Sequence, residues 1–404
     1  MGLSNLNLSL EKVYQYLLIL LAFVFPLTTA GGNLIIGIIV LLWLFSGQYG
    51  DKYHQIKQNK LARLSILFFL IHLLGLLWTQ DWQWGLLILK KMSDFLFLLP
   101  ILLTLTKKEY IKYYISAFIL AMTLTEFLSY LVWFEVIGPL HKATAGNPTP
   151  TMSHISYNPF LTFGIYLLSH ELLFNNKLKR MHKVMYGFFA ITMSINMFIT
   201  GGRAGQVMYF VMLVLLIFQF YNWQKVKAFL LSLIIIPSVF LLAYNTSSQF
   251  HHRVDEAVKN IDSYYSGGYR DTSVGQRITY ITNSINLILS NPFFGVGTGD
   301  FPSAYKTVHL ENTPDVNLTV NPHNMYILVT VQLGLLGLVS MLFIFYHQLR
   351  FALSKNKGIR RDLGVALPLL FLVIMWSDSY LLGHYTTILF VFFSSFLYKE
   401  FEKG

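Results

Sequence analysis

Three short stretches place charge or imidazole at the expected starts of apolar helices. The first is Thr200-Gly201-Gly202-Arg203-Ala204-Gly205. Glycines let a ligand come close to the backbone, and a following helix N-terminus offers free N–H groups. The Arg203 guanidinium adds a bidentate fork, and the three features together suit phosphate. A tight helical hairpin whose Arg203 reaches toward lipid headgroups fits the same residues, and both readings stand. The second stretch is Asn321-Pro322-His323-Asn324-Met325-Tyr326. Asn321 reads as an N-cap and Pro322 as the first helical residue, which predicts His323 in the first turn. The positive helix end disfavours an imidazolium there, leaving a neutral ring able to accept a proton; an interfacial His bonded to a loop carbonyl is the alternative. The third is Arg277 in Gly275-Gln276-Arg277-Ile278-Thr279-Tyr280, for which an ion pair with Asp271 or another loop acid is the plainer role.

Other charged or glycine-rich positions rank below these. Lys90, Lys91 and Asp94 fall inside an apolar run, with Lys90 and Asp94 four residues apart. Intramembrane charge is costly, but Trp82 and Trp84 mark an interface two turns earlier, so the lysines can snorkel outward and anchor an anion. His141, Lys142 and His154 are weaker candidates in one outer loop. Gly295-Val296-Gly297-Thr298-Gly299 superficially looks like a phosphate loop, yet it lacks a preceding strand and a following Lys-Ser or Lys-Thr, and is expected to be a flexible turn. The chain has no cysteine, no Asp-x-Asp pair, no Walker-type loop and no His-x-x-x-His. No metal site and no cofactor are therefore expected, and arginines would have to neutralise any phosphate leaving group.

The elements that must position these residues follow from composition. Of the 404 residues 54% are hydrophobic and only 12% charged, against about 25% charged in a soluble domain. Apolar runs of roughly 17 to 25 residues recur, each long enough to cross a hydrocarbon layer about 30 Å thick. Spans are expected near 13–28, 33–46, 63–79, 85–105, 111–137, 156–174, 184–200, 205–221, 228–244, 324–348, 364–377 and 380–397. The +11 net charge is then topology rather than a nucleic-acid footprint: 21 of the 30 basic residues fall on one side of these spans. The positive-inside rule puts both termini in the cytoplasm. The first run could be a cleaved signal, but a second follows at once, so it reads as a first transmembrane helix. The division is 1–244 with nine spans, 245–323 as one large outer loop, and 324–404 with three spans and a cytoplasmic tail. Within the loop, Val254, Val258, Ile261 and Tyr265 recur at helical spacing. Asp271-Thr272-Ser273 looks like a second helix start, with Asn291-Pro292 as its end.

With these residues in view, the chain resembles the O-antigen ligase and polymerase superfamily of bacterial inner-membrane proteins. The resemblance rests on Gly202-Arg203-Ala204-Gly205, on Arg277 followed by the turn from Asn291-Pro292 to Phe301, and on Pro322-His323-Asn324 running into Gly334-Leu335-Leu336-Gly337. It implies an all-α polytopic membrane protein of about twelve transmembrane helices, GT-C-like, with one large, partly helical periplasmic loop. It also implies a transferase at the periplasmic face that takes a glycan from undecaprenyl diphosphate, with membrane lipid around it. Carried onto this chain, Arg203 and Arg277 would grip the diphosphate and His323 would assist the acceptor, with Gly202, Asn324, Lys90 and Lys91 as further substrate contacts. One dominant outer loop looks more like the ligase, whose acceptor is the lipid A core, than the polymerase, which extends the carrier-linked glycan. A protein O-glycosyltransferase is a further variant, and a lipid-linked oligosaccharide flippase or transporter is the alternative of another class.

Overall fold

The computed structural model describes residues 3–140, 143–222 and 224–401. The described residues form seventeen α-helices and no β-strand, with one isolated bridge between Thr144 and Asn147. Among the described residues, five helices are long and apolar enough to cross a membrane: Lys60–Trp78, Lys108–Trp133, Arg203–Phe220, Lys225–Thr246 and Met325–Lys355. A sixth is added if the broken pair Thr29–Phe45 and Tyr49–Gln58 counts as one span. Several of the remaining expected spans are shorter or interrupted. The run expected at 85–105 is an α-helix over Trp82–Ser93, a π-turn over Asp94–Leu98 and an α-helix over Leu99–Leu105. The runs expected at 364–377 and 380–397 are the 16-residue helix Ile359–Ile374 and the 14-residue helix His384–Leu397. The chain is a helical membrane protein, as the apolar runs require.

The helices gather into two compact units, each drawn from separated parts of the chain: Met1–Gly47 with Leu105–Val254, and Gln48–Thr104 with Asp255–Gly404. In the first unit the Leu3–Val24 helix lies along Ile111–Trp133. Gln15 bridges them, donating to the Leu105 carbonyl at 3.0 Å and accepting from the Tyr114 hydroxyl. Phe25, Phe118 and Phe160, all buried, interlock with ring centroids 5.7–5.9 Å apart. Lipid is as apolar as these rings, so shape and paired polar groups must supply what water exclusion supplies in a soluble core.

In the second unit the Met325–Lys355 helix is not continuous. Gly334 has φ +61° and ψ −158°, a conformation nearly confined to glycine, and the helical ladder breaks there. A break in the middle of a long apolar helix strands backbone groups where no water can reach them. The segment after Asn291 satisfies them. The Val296 and Gly297 amides donate to the Val331 and Gln332 carbonyls at 2.9 Å, while the Pro292 and Phe293 carbonyls accept from Leu335 and Leu336 at 2.8 and 3.3 Å. Thr298 and Asp300 extend the strap to the Lys60–Gly75 helix and the turn after it. The Thr298 amide donates to Gly75 at 3.2 Å, and the Asp300 carboxylate accepts from the Gln80 and Asp81 amides at 2.7 and 2.8 Å. Gly295-Gly299 is thus a packed strap and not the flexible turn expected from its composition. Gly295, Gly297 and Gly299 all have positive φ, and a Cβ on Gly295 would run into the Gln332 backbone.

Candidate functional site

In the second unit the site is built on the Ser273–Ser290 helix, which starts and ends where the sequence placed it. Thr272 caps it by accepting from the Gly275 amide at 3.1 Å. Asp271, just before the cap, accepts from the Asn317 amide at 3.0 Å and the Gln276 side chain at 2.8 Å, and these bonds hold its carboxyl below the ordinary value. Asp271 is therefore occupied, and Arg277 does not pair with it. The Arg277 guanidinium instead donates to the Ser273 carbonyl and hydroxyl, both at 3.1 Å, one turn back on its own helix. Tyr280 lies three residues on and is buried. Its hydroxyl donates to the Asn317 carbonyl at 3.1 Å, and its ring stacks on His323 with centroids 6.2 Å apart.

His323 is not in the first turn of the next helix. That helix begins at Met325 with Asn324 as its N-cap, accepting from the Ile327 amide at 3.1 Å, so His323 precedes the cap with φ +51°. The Asn321-Pro322 pair matched the cap pattern, but the Asn321 side chain is committed elsewhere. Its carbonyl oxygen accepts from the His323 amide at 3.0 Å and the Ser379 hydroxyl at 2.8 Å, and its amide donates to Asp378 at 3.3 Å. Asn324 is fully buried, with its amide on the Trp376 carbonyl at 3.3 Å, so its side chain fixes the helix start beneath the imidazole.

His323 faces a carboxylate. Its Nδ1 lies 3.3 Å from Asp378 Oδ2, with side-chain exposures of 35% and 15%. Burial works against ionisation of Asp378. The hydrogen bond and charge of His323, the Ser379 amide and the nearby Arg277 outweigh it and hold the carboxyl below its ordinary value. Arg277, His323 and Asp378 thus meet in one place, although Asp378 follows Arg277 by about a hundred residues. Sequence reasoning passed over Asp378. The signal was available: it is the one Asp, Glu, Lys or Arg between Asp362 and Lys399, set in a short turn between two apolar runs.

Lys90 and Lys91 are exposed in the last turn of Trp82–Ser93, and Lys90 makes no ion pair with Asp94. In the first unit, Arg203 is the half-buried first residue of the Arg203–Phe220 helix, with Gly202 at the N-cap. The turn before it is pinned by Asn158, whose amide donates to the Gly202 carbonyl and whose oxygen accepts from Thr200, both at 3.0 Å. Asn147 accepts from the Gly201 amide at 3.0 Å and its own amide lies 3.3 Å from His154 Nδ1. Gly205 packs on Asn158 so closely that a Cβ would overlap its side chain and backbone. These glycines therefore bring two helices together, and Gly201, Gly202 and Gly205 are themselves buried. His141 and Lys142 lie outside the described residues.

Residues 188–342, which include Arg203, Arg277, His323 and the break at Gly334, match the family described as O-antigen ligase. This stretch fits the superfamily that the motifs resemble. A curated Haemophilus influenzae protein described as uncharacterized is 27% identical over 207 residues, covering 49% of this chain and 50% of that one. The chain thus spans about half the length of that relative. Asp378 lies beyond the O-antigen ligase match but is held against a histidine inside it.

Proposed function

We propose that the protein is an O-antigen ligase, moving a glycan from undecaprenyl diphosphate to a sugar hydroxyl of the lipid A core at the periplasmic face of the bacterial inner membrane. The observation that carries the proposal is the His323–Asp378 pair with Arg277 beside it. With Nδ1–H directed to the carboxylate, His323 keeps the Nε2 lone pair for an incoming hydroxyl. The acceptor oxygen attacks the anomeric carbon as its proton passes to Nε2, a role typically giving about 10²- to 10⁴-fold. The bond from the anomeric carbon to the diphosphate oxygen breaks, the configuration inverts, and the leaving diphosphate gathers negative charge. Arg277, beside the pair, is assigned to that charge, and the family resemblance assigns Arg203 the same role. With arginines in this role and no Asp-x-Asp pair in the chain, the reaction is taken to be metal-independent.

The ligase reading is preferred to the polymerase because one loop assigned to the outer face, 245–323, far exceeds the others, while the turn at Arg203 is a few residues. The test is reconstitution of the purified protein with undecaprenyl-diphosphate-linked glycan and lipid A core, without nucleotide and with chelator, followed by electrophoresis. Glycan on the lipid A core is the expected product. Longer carrier-linked chains would establish a polymerase instead, and no product from folded protein would return the transporter alternative to the front.

A further inference from the structure

A cavity of about 740 Å³ opens among four helices of the first unit, His154–Phe174, Arg180–Ile199, Arg203–Phe220 and Lys225–Thr246. Its wall is mostly apolar, with Ile165, Ile195, Met212, Leu216 and Ala243 around the hydroxyl of Ser194. Along the Arg180–Ile199 helix it is lined from Ala190 to Ile199, which at 1.5 Å per residue is about 14 Å. That is close to one leaflet of a hydrocarbon core about 30 Å thick.

One end differs from the rest. Gly146, Ser247 and Gln249 line it, and it adjoins the turn at Gly201. A Cβ on Gly201 would stand 3.3 Å from the Arg253 guanidinium and 3.6 Å from the Gln249 amide. A guanidinium and an amide donor beside the mouth of an apolar shaft match an anionic phosphodiester attached to a hydrocarbon chain. The Lys225–Thr246 helix that forms one wall is apolar and mostly exposed, so its outer face meets the bilayer.

We infer that this cavity is a phospholipid site, holding one acyl chain of an anionic phospholipid with its phosphate at Arg253 and Gln249. Apolar chain burial supplies the affinity, and the guanidinium selects the headgroup charge. Lipid binding here requires only a membrane setting and is independent of whether glycan is transferred.

The experiment is native mass spectrometry of the full chain released from micelles doped with phosphatidylglycerol. Wild type and Val207→Phe, which adds bulk at an exposed position of the Arg203–Phe220 helix, should each retain one phosphatidylglycerol. Ser194→Phe and Ala243→Phe should weaken retention by about tenfold or more, and Arg253→Gln should weaken it less. Equal retention by all variants would overturn the site, as would displacement of phosphatidylglycerol by lower concentrations of a polyprenyl phosphate or of lipid A. Should the filled variants fail to fold, the wild-type protein still decides. Phosphatidylglycerol brominated on its acyl chain should quench Trp133, which lines the cavity, more than brominated phosphatidylcholine does, with Trp133→Phe as the blank. Equal quenching by the two lipids would also overturn the proposal.

Discussion

Two glycine-rich segments, Gly201–Gly205 and Gly295–Gly299, invite the same sequence reading and use their glycines differently. In the first, φ at Gly202 is −88°, an ordinary value, and the glycines serve close approach, with Gly205 against Asn158 and Gly201 facing Arg253 and Gln249. In the second, all three glycines have positive φ, and the strap supplies partners to a helix broken at Gly334. A glycine required by backbone conformation can be replaced only at the cost of strain. A glycine required by packing tolerates whatever its neighbour can yield.

The largest effect should follow from breaking the strap. Gly334→Ala places a methyl against the Phe293 backbone at a φ that L-residues avoid, and Gly295→Val does the same against Gln332. Strained backbone costs about 1–3 kcal/mol and overpacking a similar amount again. Both variants should lose most of their monodisperse protein, read by size exclusion and thermal melting. Wild-type melting of either would show that the strap does not hold the break.

Next come losses of chemistry without loss of fold. His323→Ala and Arg277→Ala should each reduce transfer by about 10²-fold or more while inserting and melting normally. Asp378→Asn should cost about tenfold or more by removing a charged hydrogen bond from His323. A wild-type rate in His323→Ala would remove it from the reaction, whatever Asp378 does.

Acid should reveal the same pair through stability. The folded value of Asp378 lies below its ordinary one, so ionised Asp378 adds stability that is fully present above the unfolded value of about 3.9 and is lost as pH falls through the depressed folded value. Asp378→Asn lacks this contribution. Between neutral pH and pH of about 3, wild type should lose more melting temperature than the Asn variant, and parallel curves would show that the carboxylate is not held in its charged form.

The sequence and the structure agree where local rules decide. Thr272 caps its helix because a side-chain oxygen two or three residues from a free amide needs nothing else, and apolar runs make helices because lipid leaves the backbone no alternative. They part where a distant residue competes. Asn321 had the pattern of a cap, but Ser379 and Asp378, more than fifty positions away, claim its side chain, and Asn324 takes the cap. The break at Gly334 was equally hidden: Gly-Leu-Leu-Gly reads as ordinary span until another segment offers the partners that make breaking it tolerable. Arg277 and His323 were visible as types at helix starts; Asp378 was visible only as a lone charge, and its meaning is tertiary.

The smallest effect tests the other glycine segment. Gly201→Ala adds a methyl 3.3 Å from the Arg253 guanidinium, the far end of a flexible side chain that can move aside. Stability should change by no more than about 0.5 kcal/mol. Gly205→Ala, in contrast, meets the Cβ and backbone of Asn158, which cannot move without disturbing the bonds to Gly202 and Thr200. It should melt well below wild type. If Gly205→Ala melts like wild type, packing does not explain the turn. If Gly201→Ala folds normally yet loses transfer, close approach of a phosphate to the Gly201 backbone becomes the better account of that glycine, and the two segments differ in chemistry as well as in conformation.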